Sequence, residues 1–84
     1  GLEALEPGWK RSRVQPLPGG GLTWAQAYPR TPYGTARAKW EIKGKDFVLT
    51  VEVPQGTVCE AVLPGGEKQT LPGGVHELRC AYTA

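Results

Sequence analysis

No stretch of this chain longer than about 12 residues escapes glycine or proline. Proline removes a helical hydrogen bond and glycine disfavours the helix. Isolated helices shorter than about 12–15 residues are marginal in water. A long helical bundle is therefore nearly excluded. Twelve Gly and eight Pro in 84 residues also suit a loose, low-complexity chain. Here, however, they are interleaved with three Trp, three Tyr, one Phe and many Val and Leu. Apolar content of that kind argues against disorder. Short strands joined by many turns account for both features, and 9.0 kDa allows one small domain.

The clearest element is a hairpin. Ala36, Ala38, Trp40 and Ile42 alternate with Arg37, Lys39 and Glu41. Phe47, Leu49, Val51 and Val53 alternate with Asp46, Val48, Thr50 and Glu52. Both runs have the period of two expected of a half-buried strand. Gly44-Lys45 between them suits a type II′ turn. That turn predicts that paired residue numbers sum to 89. Ile42 then faces Phe47, Trp40 faces Leu49, Ala38 faces Val51 and Ala36 faces Val53, all on one face. On the other face Lys43 meets Asp46 and Arg37 meets Glu52, so opposite charges oppose one another. A one-residue slip would lose both agreements.

Five further strands are predicted over residues 9–15, 22–28, 57–63, 67–71 and 75–82. The run at 67–71 reads as a short edge strand. Turns at Pro54-Gln55-Gly56, Pro64-Gly65-Gly66 and Pro72-Gly73-Gly74 separate the later ones. The expected fold is all-β: an antiparallel β-sandwich, jelly-roll or Greek-key-like, of about seven short strands. Residues 1–8 read as a linker or the tail of a preceding domain and residues 9–84 as the sandwich. Pro-Gly-Gly recurs at 18–20, 64–66 and 72–74, but unequal spacing makes this turn chemistry, not an internal repeat.

Ten Lys/Arg against eight Asp/Glu give a net charge of +2. That near balance does not demand a nucleic-acid partner. Lys10, Arg11 and Arg13 form the one basic cluster and read as a solvated strand face. No apolar run approaches the ~18 residues of a membrane span, so no membrane partner is expected. The absence of Met leads us to expect an excised piece of a longer protein.

Little catalytic chemistry is visible. One His and two Cys without CxxC spacing do not make a zinc site, and no metal or cofactor is expected. His76 and Cys80 lie four apart on one strand, roughly 13 Å, too far for a nucleophile–base pair; Cys59 could lie nearer, but His76 reads as a core or rim residue and not a catalytic one. Glu41, Glu52, Glu60 and Glu77 alternate with core positions and therefore face solvent, so no general acid or base is assigned. Cys59 and Cys80 both point inward. They are either bridged, a link that would stabilise by ~3 kcal/mol, or two small buried thiols.

The ordered set Gly1-Leu2, Glu6-Pro7-Gly8-Trp9, Leu22-Thr23-Trp24-Ala25-Gln26-Ala27, Thr31-Pro32-Tyr33-Gly34 and Trp40 leads into a second one. Residues 47–54, the stretch Pro54-Gln55-Gly56-Thr57 to Ala61-Val62-Leu63-Pro64, and Gly73-Gly74-Val75-His76-Glu77-Leu78 complete it. Together they resemble the C-terminal β-sandwich domain of bacterial α-L-rhamnosidases, glycoside hydrolase family 78, over essentially the whole chain. Cys59 stands where the family pattern suggests a small residue such as Ala. The resemblance implies a preceding (α/α)6 catalytic barrel in the same polypeptide, with a cut near Gly1. It implies hydrolysis of terminal α-L-rhamnose with inversion by carboxylates on that barrel, none of which maps here. The parent would be cytoplasmic or secreted.

Three functions compete. The first is a non-catalytic accessory domain packed on the barrel. The second is an autonomous carbohydrate-binding module for rhamnosylated glycosides, with Trp9, Trp24, Tyr28 and Tyr33 as a stacking platform. The third is a protein-interaction sandwich of fibronectin type III kind. Trp24, Tyr28 and Tyr33 are the candidate docking or carbohydrate-contact residues. Trp24 shares a face with Leu22, Gln26 and Tyr28, opposite Ala25 and Ala27. Either the alanines face the core and Trp24 lies outside, or Trp24 itself fills core space.

Overall fold

The computed structural model describes residues 2–6, 8–19 and 21–82. The masked positions include Pro7 and Gly20, so the turns expected at 7–8 and 18–20 lie partly outside the described residues. The β6 (Arg37–Lys43) and β7 (Asp46–Val53) strands form the central hairpin. Their register is the expected one, with Ile42 opposite Phe47, Trp40 opposite Leu49 and Ala38 opposite Val51. Gly44 has a φ of 64° while Lys45 does not adopt positive φ, which matches a type II′ turn and excludes type I′. Ala36 is buried but lies just before the ladder begins. Arg37 and Glu52 pair across the strands at 3.8 Å. Lys43 is opposite Asp46, yet its ammonium bridges Glu41 of its own strand at 3.6 Å.

β10 (Gly74–Ala81) pairs with β7, and β3 (Trp24–Ala27) with β6, giving a four-stranded antiparallel sheet ordered β10-β7-β6-β3. The facing sheet is ordered β1-β2-β8-β9, from Leu2–Ala4, Arg11–Val14, Val58–Val62 and Lys68–Leu71. A small ladder of β4 (Arg30–Thr31) and β5 (Gly34–Thr35) completes ten strands among the described residues. The expected count of about seven falls short by β1, β4 and β5. β1 lies within the lead that reads as a linker in the sequence. It pairs with β2, Leu2 opposite Val14. The sandwich is antiparallel except for β2 and β8, which run parallel with Ser12 beside Cys59. Among the described residues no helix is long and apolar enough to cross a membrane.

The core sits between the two sheets. Ala38, Trp40, Phe47, Leu49, Val51 and Val53 meet Val14, Cys59, Ala61, Leu63 and Leu71. Trp40 stacks on Phe47 at 5.5 Å between ring centroids, and Phe47 contacts Tyr82 at 6.2 Å. Such pairs add to simple burial. Val48 is buried on the outer face, where Lys39, Glu41, Lys43, Thr50 and Glu77 surround it. Long charged side chains cover apolar surface with their stems while their heads stay wet.

The outer face of the other sheet is ion-paired. Glu60 takes Arg13 from β2 at 3.6 Å and Lys68 from β9 at 3.7 Å. Arg13 of the basic cluster is thus occupied by a carboxylate. Cys59 and Cys80 are both free thiols. Cys59 is buried on the inner face of β8 beside Ser12 of β2, and that burial raises its pKa above 9.0. The Ser12 and Val14 hydrogen bonds oppose the shift and the Glu60 charge adds to it.

Trp40→Ala removes the ring that Phe47 stacks on, and should cost about 3–5 kcal/mol in urea unfolding. A loss below ~1 kcal/mol would show that Trp40 is not a core residue. The Cys59 shift gives a second expectation. Below pH 9.0 the thiol is neutral in both states. As pH rises above 9.0 the unfolded thiol ionises while the folded one stays protonated, so stability falls. The parent should therefore lose stability more steeply on crossing that pH than Cys59→Ala. Parallel slopes in paired denaturation curves would contradict the burial argument.

Candidate functional site

The β3 strand decides the placement of the candidate aromatics. Ala25 lies opposite Trp40 and Ala27 opposite Ala38. A small alanine beside the large indole of Trp40 fills the sheet's inner face, so β3 turns Trp24 and Gln26 outward. Trp24 is 52% exposed and Tyr28 53%. The alternative in which Trp24 fills core space is thereby ruled out. Trp24 lies beside Glu41 on the outer face, and Gln26 lies beside Lys39.

Tyr33 belongs to a different place. It sits at the tip of the β4–β5 ladder, where Thr31 lies opposite Gly34. The Thr31 hydroxyl donates to the Gly34 carbonyl at 2.7 Å and accepts from the Tyr33 amide at 3.1 Å. This local clamp is the reason Thr precedes Pro32-Tyr33-Gly34. The Tyr33 ring lies over the β7–β8 turn, 3.9 Å from where a Cβ on Gly56 would stand. The Thr57 hydroxyl donates to the Pro54 carbonyl at 2.7 Å in that turn. The loop before β10 closes on the same turn, since a Cβ on Gly73 would fall 2.9 Å from the Gln55 Cα. His76 Nε2–H donates to the Pro72 carbonyl at 2.8 Å. Tyr33, Gln55, Gly73 and His76 are thus drawn to one end of the sandwich, while Trp24 is not.

Trp9 does not open a strand. β2 begins at Arg11, and Trp9 follows Gly8 with φ values of 65° and 86°. It is the one non-glycine residue with positive φ among those described, and it is partly buried. Its alternation with the strand residues gave no hint of this turn, because a left-handed conformation is uncommon for a bulky side chain.

An apolar concavity lies away from the Tyr33 loop cluster. An apolar cleft of about 240 Å³ opens between the edges of the two sheets. Leu2, Val14, Pro16 and Leu17 form one wall, and Leu22, Ala25, Ala27, Ala38 and Trp40 the other. Gln26 is the polar member of this lining. Sequence reasoning missed the cleft because Leu2 reads as linker, and because nothing local places Leu17 across from β3.

The carboxylates are dispersed. Glu41 bridges Lys43, Glu52 bridges Arg37, Glu60 bridges Arg13 and Lys68, and Glu77 bridges Arg79. Each lies on an outer sheet face beside its cation. No group of three or more His, Cys, Asp and Glu converges among the described residues. These carboxylates can screen and solubilise a sheet face; Glu41 and Glu77 border one polar depression over Val48, while Glu52 and Glu60 lie outside it.

The packing of the two loops gives a sharp expectation. Gly73→Ala sets a methyl against backbone, so the loops must part, at a cost of about 1–3 kcal/mol. Shortening Gln55 leaves its Cα in place and should not rescue the variant. Equal thermal stability of Gly73→Ala and the parent would refute the close approach.

Comparison with known proteins agrees with this architecture. Residues 1–78 match the family described as the bacterial alpha-L-rhamnosidase C-terminal domain. An alpha-L-rhamnosidase of Formosa agariphila is 37% identical over 71 residues, covering 84% of this chain and 8% of that protein. One from Streptomyces avermitilis is 31% identical over 64 residues, covering 76% of this chain and 6% of that protein. The crystal structure of native alpha-L-rhamnosidase from Aspergillus terreus superposes with a TM-score of 0.89 at 45% identity, over 95% of this chain and 10% of that one. The Streptomyces avermitilis enzyme complexed with L-rhamnose also gives 0.89, at 22% identity, and shares the fold over 94% of this chain and 10% of its own. The chain thus spans a tenth or less of these relatives. With a two-sheet sandwich of matching topology and a family match over nearly its full length, the chain belongs to the bacterial alpha-L-rhamnosidase C-terminal domain family.

Proposed function

We propose that this chain is a non-catalytic accessory domain of an α-L-rhamnosidase. It packs on and stabilises the catalytic domain of the same polypeptide, an (α/α)6 barrel that cleaves terminal α-L-rhamnose. The observation that carries this reading is where the exposed apolar surface lies. Among the described residues, five of seven exposed large hydrophobic side chains fall between Leu17 and Tyr33. They are Leu17, Leu22, Trp24, Tyr28 and Tyr33. Leu17 and Leu22 share the mouth of the apolar cleft; exposed apolar surface gathered in this way marks an interaction site, and Trp and Tyr are enriched in the buried centres of interfaces. Trp24, Tyr28 and the Thr31-Pro32-Tyr33-Gly34 tip are the docking residues in this reading. Each of the four outer-face carboxylates is held by a neighbouring cation, which fits a domain that leaves the chemistry to its partner.

A specific observation also favours a second reading, direct carbohydrate binding. Trp24 offers an exposed indole on the outer sheet face beside Gln26 and Glu41. An aromatic plane flanked by amide and carboxylate suits the apolar and hydroxyl faces of a sugar.

Two measurements separate these readings. The purified 84-residue chain should release no nitrophenol from an aryl α-L-rhamnoside above a heat-killed control. Titration with L-rhamnose and rhamnosylated glycosides should leave the Trp24 and Tyr33 NMR signals unmoved, while Tyr33→Ala lowers the stability of the complete enzyme. Saturable shifts at low millimolar sugar would instead establish the binding module, and activity in the isolated chain would overturn both.

A further inference from the structure

We propose that the apolar cleft between β1–β2 and β3 is the seat of the domain preceding Leu2 in the parent polypeptide, with an apolar ridge of that domain lodged between Leu17 and Leu22. This rests on the accessory-domain reading and adds where the contact lies.

The lining selects the occupant. Leu2, Val14, Leu17, Leu22, Ala25 and Trp40 offer hydrocarbon, and Gln26 is the polar group among the lining residues. A sugar seated here would leave most of its hydroxyls without partners, which is costly. Apolar side chains lose nothing by entering. Leu17 and Leu22 stand at the mouth, 76% and 57% exposed. Side chains of that size gain about 1.5–3 kcal/mol each when fully covered.

The chain path selects the same occupant. β1 runs antiparallel to β2, so Leu2 pairs with Val14, and both residues line the cleft. Polypeptide leading into Leu2 therefore arrives at the cleft itself. A domain tethered there meets the cleft at the high effective concentration of a short linker. The relatives matched here are chains of which this one covers 6–10%, so a large preceding body is available to fill it. The Tyr33 tip lies at the opposite end. β2 runs beside β8 from Arg11 at Val58 to Val14 at Ala61, leading away from the Gly56 turn that Tyr33 covers. Seating in the cleft thus makes Leu17 and Leu22 the primary contacts. Trp24, on the outer face of the same rim, becomes a flanking contact, and the Tyr33 tip stands as a second contact apart from the cleft.

The test compares Leu17→Asp/Leu22→Asp in the 84-residue chain and in the complete parent enzyme. Both leucines are exposed in the isolated chain, so its melting temperature should move by no more than about 2 °C. In the complete enzyme the same change should speed proteolytic release of the sandwich about tenfold, because release follows the population of the undocked form. Val75→Asp is the control. Val75 is 66% exposed on β10, the edge of its sheet farthest from β3, and this change should leave release unaltered. Unchanged release in the double variant would overturn the proposal. So would dimerisation of the isolated chain abolished by the double variant, since a second copy would then fill the cleft. If Tyr33→Ala speeds release and the double variant does not, docking stands but through the other end. If removing the whole sandwich leaves the enzyme's stability intact, the accessory-domain reading itself fails.

Discussion

The register of the β6–β7 hairpin is the constraint on which the rest of the structure depends. Gly44 takes a positive φ that costs other residues strain, and so fixes which residues oppose one another. Trp40, Leu49, Ala38 and Val51 then lie on one face. Both neighbouring strands inherit that choice. β10 sets Leu78 opposite Leu49 and Cys80 opposite Phe47. β3 sets Ala25 against Trp40. A slip by one residue would turn Phe47 and Trp40 to solvent and bring Lys39 and Glu41 into the core. The second sheet packs on the face so defined, with Ala61 and Cys59 beneath the rings and leucines.

What could be read in advance follows from how local each determinant is. The hairpin was legible because its turn, its alternation and its cross-strand charges all lie within 17 residues, from Arg37 to Val53. β1 was not, because three residues with one inward Leu carry no periodicity. β4 and β5 have two residues each, and it is the Thr31 hydroxyl, not an apolar pattern, that closes them. The parallel pairing of β2 with β8 joins residues more than 40 positions apart, and no local turn chemistry announces it. Trp24 shows a finer limit. Its strand alternates, so two orientations were open, and only the size match of Ala25 to Trp40 across the sheet chooses between them. Of the candidate residues, sequence proximity grouped Trp24, Tyr28 and Tyr33. The fold separates Tyr33 from Trp24, since a chain that reverses between strands carries neighbours in sequence to opposite ends.

The outer faces and the edges of this sandwich obey different rules. On the faces, Glu41, Glu52, Glu60 and Glu77 each meet a cation on their own or the adjacent strand, and exposed pairs of this kind contribute little to stability. Their alternation instead keeps each sheet from presenting a flat apolar surface. Lys68 and Gln69 place polar groups along β9, an edge strand, a common way to discourage unwanted strand pairing. The β1 and β3 edges lack that protection. Leu2, Ala25 and Ala27 stand along the gap between them, and Leu17 and Leu22 overhang it.

The two ends of the sandwich make the same contrast along its long axis. At one end the loops are locked to each other: Tyr33 over Gly56, Gly73 against Gln55, His76 on the Pro72 carbonyl, Thr57 on the Pro54 carbonyl. Polar groups there are satisfied within the domain, and glycine at 73 is required by backbone contact. At the other end the connection from β2 to β3 carries Pro16, Leu17 and Leu22 to the surface, where they shield Trp40 on one side only. A domain that closes one end with its own hydrogen bonds and leaves hydrocarbon at the other has divided its surface by solvent. The satisfied end can face water in any context. The open end gains free energy only when another apolar surface covers it, and the chain enters the domain at that end through Leu2. The point where the chain enters and the uncovered hydrocarbon of Leu17 and Leu22 thus coincide at one end of the sandwich.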